Sequence, residues 1–173
     1  MKFFISLSFL LLFVFNPINS NEIKIVYVDT DKILNESNVG KNIKKQVDVI
    51  NDKNISNFKK IEEKLKAEEK KISQQKNILS KEEFEKKVNA LRINANKFSK
   101  DVNDSKKDLV LKKNIATKKL LDDLTPILSE YASKNSIHII LQKSLIIIGR
   151  EDLDITDSIL TIVNKRVKNI KLN

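Results

Sequence analysis

The sequence predicts an α+β protein in which a small oligomeric β-sheet, the head, carries one long antiparallel α-helical coiled-coil hairpin per subunit, the arm. Three observations predict this architecture. Residues 41–125 contain neither glycine nor proline and place apolar residues at heptad spacing among lysines and acidic residues. Short β-branched runs stand before and after that stretch. The 173 residues include two glycines and two prolines, too few turn residues for a β-sandwich or a Rossmann fold.

The first twenty residues have the layout of a secretory signal peptide. One lysine precedes residues 3–15, which are apolar except for two serines, and Asn16-Pro17 breaks the helix before a small serine. A membrane span needs about 20 residues, and the apolar stretch is shorter than that. We therefore expect residues 1–20 to be a cleaved signal peptide and the mature chain to be exported. The exact cleavage site stays open, because Ile18 is large for its position.

The head is predicted to combine the two ends of the mature chain, residues 21–40 and 126–173. Residues 23–28, IKIVYV, are β-branched and predict a strand, and a short helical turn follows them. Residues 137–141 and 145–148 are equally apolar and predict two more strands. The three strands are expected to pair into one small sheet covered by short helices.

The first helix of the arm is predicted over residues 41–79. Its apolar residues recur in steps of three, four and seven, which define a narrow stripe. The stripe consists of Ile43, Val47, Ile50, Phe58, Ile61, Leu65, Ile72 and Leu79. Asn54 and Asn57 interrupt the stripe, so we expect the helix to be weak or frayed at that level.

The second helix of the arm is predicted to follow a turn near residues 76–81. Ser80 and Glu83 fit a capping box, which satisfies free amides at the start of a helix. The stripe of this helix is more regular and has one polar slip, at Ser105. It consists of Phe84, Val88, Leu91, Ala95, Phe98, Val102, Ser105 and Leu109. Pro126 is expected to kink or restart the helix, because proline has no amide donor.

The end of the chain predicts a last helix, capped by Asp154 and running to about residue 168. Three short strands and two small helices can form only a small hydrophobic core at the base of so long an arm. Strands that are apolar on both faces need burial on both faces, and association of several copies would supply it. The residues expected at this oligomer interface are Ile23, Ile25, Tyr27, Ile137, Ile139, Leu141, Leu145 and Ile147.

No motif for catalysis, a metal or a cofactor is present in the sequence. The chain has no cysteine, and its single histidine, His138, is expected to be a packed or edge residue of a strand. Gly40 and Gly149 are the only glycines, so there is no glycine-rich phosphate loop. The sequence therefore predicts a protein that is not an enzyme and needs no cofactor.

The charge balance, +10 with a pI near 9.6, leaves three interpretations open. Lysines can simply keep long helices soluble, or they can attract acidic clients or anionic lipid head groups to the tip of the arm. The tip lysines are Lys70, Lys71, Lys76, Lys81, Lys86 and Lys87. Nucleic-acid binding is the third interpretation. Aromatic residues for stacking and arginine-rich runs are lacking, and the chain is expected to be exported, so we expect no physiological nucleic-acid partner.

These features together resemble the Skp/OmpH family of periplasmic chaperones for outer-membrane proteins, over essentially the whole mature chain. The segments that carry the resemblance are IKIVYVDTDKIL, SNVGKNIKKQ, LTPILSEYASKNSIHIILQKSLIIIG and DLDITDSILTIVNKRV. None of them is a catalytic signature. The likeness lies in the order of signal peptide, strand, lysine-rich hairpin, apolar strands and closing helix.

The resemblance implies a periplasmic homotrimer whose heads form a barrel-like body and whose arms enclose unfolded outer-membrane proteins without ATP. Some members of the family contact lipopolysaccharide through basic residues, but no motif here assigns that role to particular positions. A second interpretation is a structural or tethering coiled-coil protein of the envelope, anchored through an uncleaved N-terminus.

Overall fold

A computed structural model describes residues 22–172, so the predicted signal peptide lies outside the described residues. The elements in chain order are β1 (Ile25–Val28), α1 (Thr30–Glu36), α2 (Asn38–Gln74), α3 (Lys81–Lys134), β2 (Ile139–Gln142) and α4 (Thr156–Arg166). Short 3-10 turns at Lys143–Leu145 and Glu151–Leu153 lie between β2 and α4. Over the described range, no helix has both the length and the apolar character required to cross a bilayer.

The sheet of the head has two strands in the described residues, not the three that the sequence predicts. β1 and β2 run parallel, with Ile25 opposite Ile139 and Val28 opposite Gln142. The apolar run at 145–148 forms no strand, and its side chains are mostly exposed, so that prediction is wrong. On the other side of β1, an isolated bridge between Tyr27 and Asp154 extends the sheet.

β2 begins two residues later than predicted because the preceding residues close helix α3. Ser136 has φ of 52°, the left-handed conformation that commonly ends a helix, and the amide of Ile137 donates to the carbonyl of Ala132 at 2.9 Å. The side chain of Ile137 is then buried in the core. Ile137 thus belongs to the helix cap and not to the ladder.

The two long helices lie side by side and run antiparallel. Asn54 of α2 contacts Ser105 of α3, and Gln75, just after α2, accepts a hydrogen bond from Lys87 near the start of α3. At 1.5 Å per residue the 37 residues of α2 span roughly 55 Å. The capping box at the start of α3 is confirmed, since Ser80 accepts from the Glu83 amide and Glu83 accepts from the Ser80 amide.

The predicted stripes lie between the two helices. All eight stripe residues of the second helix are partly buried, and Phe58 meets Phe98 edge-to-face with ring centroids 6.0 Å apart. Ile61 is the exception in the first helix, because it is exposed. A heptad coiled-coil geometry for this pair stays a prediction.

Helix α3 continues through Pro126 to Lys134, so the predicted restart at the proline is wrong, and the alternative of a kink stays a prediction. Leu124 and Ile127, on either side of the proline, are both buried in the head core. This packing holds the backbone helical through a residue that helices disfavour.

The core lies where the roots of the long helices meet α1, α4 and the sheet. Its most buried members, Ile33, Leu120, Leu124, Ile159 and Val163, come from α1, α3 and α4. Gly40 allows the first turn of α2 to approach α1, since a Cβ there would lie 1.9 Å from the Leu34 carbonyl oxygen.

The last helix starts one residue later than the predicted Asp154 cap requires. α4 begins at Thr156, with Ile155 in the capping position, and ends at Arg166. The Asp154 carboxylate nevertheless accepts a hydrogen bond from the Thr156 amide at 2.9 Å.

Candidate functional site

The two-stranded sheet turns one face to the core and leaves the other largely uncovered. Val26 and Val28 are buried, and Ile140 packs against the same core. On the opposite face, Ile25 and its ladder partner Ile139 keep 41% and 44% of their surface exposed. Because strand residues alternate between faces, the exposed Ile23 and Leu141 are placed with them.

Tyr27 lies on this same face and is covered by the loop that follows β2. Its hydroxyl donates to the Arg150 carbonyl at 3.0 Å, and Lys143 Nζ lies 5.8 Å from the ring centroid. Gly149 passes so close that a Cβ would lie 2.7 Å from the ring, which explains glycine at this position. Tyr27 is therefore buried by contacts within the chain.

The covering loop is fixed at its base and apolar in its middle. Lys143 Nζ binds the Asp154 carboxylate at 2.8 Å. Burial works to raise the pKa of Asp154, but the hydrogen bonds from Lys143 and Thr156 outweigh it and the pKa is lowered. Between these anchors Ile147 and Ile148 are 98% and 91% exposed. Two such side chains side by side in water are unusual for a subunit that acts alone.

The structure brings six of the eight predicted interface residues to the surface and buries Tyr27 and Ile137 in the subunit core. Ile148 was missed, although it belongs to the same apolar run. We call these exposed side chains the apolar head surface: Ile23, Ile25, Ile139, Leu141, Leu145, Ile147 and Ile148.

β2 adds an open strand edge to this surface. Its ladder partner is β1, and within residues 22–172 no strand pairs with its other side. An open edge offers a row of backbone donors and acceptors to another chain. His138, just before β2, accepts a hydrogen bond at Nδ1 from the Lys24 amide at 3.1 Å, which is a structural role. No group of three or more metal-ligating side chains exists in the described part of the chain.

The six predicted tip lysines surround the turn between α2 and α3. All six are exposed, and none forms an ion pair with a described residue. Lys87 Nζ donates to Gln75 Oε1 at 2.9 Å, and the other five have no side-chain hydrogen bond within residues 22–172. The six ammonium groups at the tip therefore face solvent without an ion-pair partner, in a stretch that also exposes Glu68, Glu69, Glu82, Glu83 and Glu85.

The arm also exposes large apolar side chains that lie outside the stripe. Heptad spacing marks only Ile115 among them, as a less regular continuation of the second stripe, and that residue is exposed instead. Isolated isoleucines and valines among lysines were the available signal for the others. The whole set is Val49, Ile55, Ile78, Ile93, Val110, Leu111, Ile115 and Leu121. Seven of these eight lie outside the turn, along the flanks of the two helices.

Comparisons with known proteins agree with this architecture. A family model described as "Outer membrane protein (OmpH-like)" matches residues 24–163. The fold is similar to the crystal structure of a candidate OmpH-like outer membrane chaperone from Caulobacter crescentus CB15, with a TM-score of 0.82 and 15% identity over 87% of this chain and 89% of that one. No curated protein matches the sequence. Because the family model covers most of the chain, the protein belongs to the OmpH-like family.

Proposed function

We propose that the protein is a periplasmic, ATP-independent holdase chaperone that keeps unfolded outer-membrane proteins from aggregating. It acts as a homotrimer whose arms enclose the client. Membership of the OmpH-like family and a fold shared with a candidate outer membrane chaperone support a chaperone role. The exposed features of head and arm support the finer steps.

The apolar head surface is the observation that carries the self-association. Parallel sheets are normally covered on both faces, and here the outer face of the sheet shows four exposed aliphatic side chains and an open edge. Further copies of the head would bury this face, and a strand of another copy would form backbone hydrogen bonds with the open edge of β2. The loop apices with Ile147 and Ile148 would enter the same interface, which gives the oligomer its apolar centre.

The arms supply many weak contacts for a client. The exposed aliphatic side chains along α2 and α3 can each bury a small apolar area against an unfolded chain, and lysines lie between them. Several such contacts on three arms give useful affinity without a deep pocket. The free lysines at the tip would attract acidic or anionic partners by long-range steering, and anionic lipid head groups or lipopolysaccharide are candidates.

Export rests on the predicted cleaved signal at residues 1–20 together with the family. The tethering alternative requires that segment to stay attached. Mass spectrometry of the protein purified from its own envelope separates the two. A chain that begins near residue 21 supports the soluble chaperone, and an intact Met1 supports the tether.

A matched pair of double variants tests the proposed mechanism. Ile25→Lys with Ile139→Lys puts two charges on the outer face of the sheet, and Asn89→Lys with Asn103→Lys puts the same charge on exposed arm positions. The head variant should run as single copies and lose protection of an unfolded outer-membrane barrel protein against aggregation. The arm variant should keep both properties. Retention of assembly and protection by the head variant would contradict the proposal.

A further inference from the structure

The six residues that follow α4, residues 167–172, cross the root of the arm, where head and arm meet. This segment, the tail, forms neither helix nor strand. The family model ends at residue 163, so the tail lies beyond the part of the chain that the family pattern describes.

One end of the tail is fixed to α3. Arg166, the last residue of α4, binds both carboxylate oxygens of Glu130, with Nη2 at 3.1 Å from Oε1 and Nη1 on Oε2. Lys134 binds the same carboxylate at 2.6 Å. A guanidinium paired to a carboxylate at two points sets direction as well as distance, so the tail leaves α4 at a defined angle.

The other end of the tail is fixed to α2 by one side chain. The Gln46 amide nitrogen donates to the Ile170 carbonyl at 2.8 Å, and its oxygen accepts from the Leu172 amide at 3.1 Å. The side-chain amide thus makes one donor and one acceptor hydrogen bond to the tail backbone, as a neighbouring β-strand would. Asn42 holds Gln46 in this orientation by accepting from the same nitrogen at 2.6 Å.

Burial adds to this attachment. Ile170 is 3% exposed and belongs to the same core cluster as Ile43, Ala116 and Leu120, while Leu172 packs against that cluster. The tail therefore fills space between the roots of α2 and α3. A second link lies earlier in α2, where Asn164 Oδ1 of α4 accepts from the Asn38 amide at 2.7 Å.

We propose that the tail is a strap that fixes the separation of α2 and α3 at the root of the arm. α3 runs without a break from the arm into the head, so its direction is set by the core. α2 joins the head through α1, through Asn38 bonded to Asn164, and through the buried Val39 and Ile43. The strap adds a further attachment at Gln46, about two turns above the first residue of α2. When the strap detaches, α2 separates from α3 above Ile43, while Val39 and Ile43 stay packed in the head core.

The test measures the separation of the helices directly. The chain has no cysteine, so Val49→Cys on α2 and Val110→Cys on α3 introduce two specific spin-label sites at exposed positions. Labelled chains are diluted in unlabelled chains, so that only distances within one chain are recorded. Gln46→Leu removes both hydrogen bonds to the tail, and Gln74→Leu is the control, an exposed glutamine at the far end of the same helix.

In the Gln46→Leu chain, hydrogen exchange of the Leu172 amide should be about tenfold faster, because one or two net hydrogen bonds are lost. The distance between the two spin labels should also become longer. The Gln74→Leu chain should match the unmodified one in both measurements. Faster Leu172 exchange with an unchanged distance distribution overturns the proposal, and so does an equal change in the control.

A milder variant keeps the test decisive if Gln46→Leu does not fold, which circular dichroism reports. Gln46→Glu keeps the acceptor for the Leu172 amide and removes the donor to the Ile170 carbonyl. It should give a distance distribution between those of the unmodified chain and a chain that ends at Arg166. A distribution identical to the unmodified chain in both variants overturns the proposal.

Discussion

The side-chain amide of Asn54 donates a hydrogen bond to the Ser105 hydroxyl across the two long helices, at 2.8 Å. Asn54 and Ser105 are the polar residues that interrupt the apolar stripes of α2 and α3, and their side chains are hydrogen-bonded to each other. α2 is continuous through this level, from Asn38 to Gln74, so the polar pair does not break the helix. Any opening of the arm at this level would have to break this bond.

The pair predicts a specific pattern in a double-mutant cycle. Ser105→Ala leaves the Asn54 amide partly buried without its partner and should lower the free energy of unfolding by about 1 kcal/mol. Asn54→Leu together with Ser105→Ala replaces both polar groups and should restore most of that loss. Urea unfolding of the four chains measures it. Strictly additive effects would show that the two side chains do not interact.

Two adjacent leucines test the placement of the core. Leu120 is fully buried and Leu121 is 38% exposed. Leu120→Ala should lower the free energy of unfolding by about 2–5 kcal/mol, because it leaves a cavity among packed side chains. Leu121→Ala should cost less than about 1 kcal/mol, because little packing is lost. Similar costs in denaturant unfolding would mean that α3 is rotated relative to this account.

Ser136 offers a stabilising substitution. Its φ of 52° is strained for a residue with a side chain, and glycine adopts that conformation freely. Ser136→Gly should raise the free energy of unfolding by about 0.5–1 kcal/mol, after the greater flexibility of the unfolded chain is subtracted. A thermal melt compares it with Ser133→Gly, one turn earlier in α3, which should destabilise. Destabilisation by both substitutions would argue against the left-handed cap.

Acid should release the strap through Glu130. Hydrogen bonds from Arg166 and Lys134 hold the pKa of this carboxylate at about 2, below the 4.5 of a free glutamate. Because the pKa is lowered in the folded state, the stabilisation is complete above about pH 4.5 and is lost as the pH falls toward 2. Exchange of the Leu172 amide, followed by NMR, should speed up in that window beyond its intrinsic pH dependence.

Glu130→Gln is the control for this pH effect, since glutamine does not titrate. In that chain the Leu172 amide should show no additional acceleration between about pH 4.5 and 2. An acceleration with the same midpoint in both chains would assign the release to another acidic group.

Local rules in the sequence were sufficient for the start of the second long helix and for its partly buried stripe. The Ser80 and Glu83 capping box and the heptad steps from Phe84 to Leu109 depend on residues a few positions apart, and a helix expresses such patterns directly. β1 was equally readable, since its four residues lie within the predicted run.

Features that depend on distant parts of the chain could not be predicted in this way. Residues 145–148 have strand composition, but within residues 22–172 no strand pairs with them, so composition alone gave the wrong structure. Pro126 stays helical because of buried neighbours that the local rule ignores. Gln46 shows no pattern that marks its contact with the tail, more than a hundred residues away in the sequence.

The native mass of residues 21–173 at micromolar concentration, alone and with an unfolded outer-membrane barrel protein, tests the central claim most directly. The account predicts three copies alone and three copies with one client. A well-folded single copy that stays single when the client is added would contradict it, because the apolar head surface would then have no partner and no enclosing cavity could form.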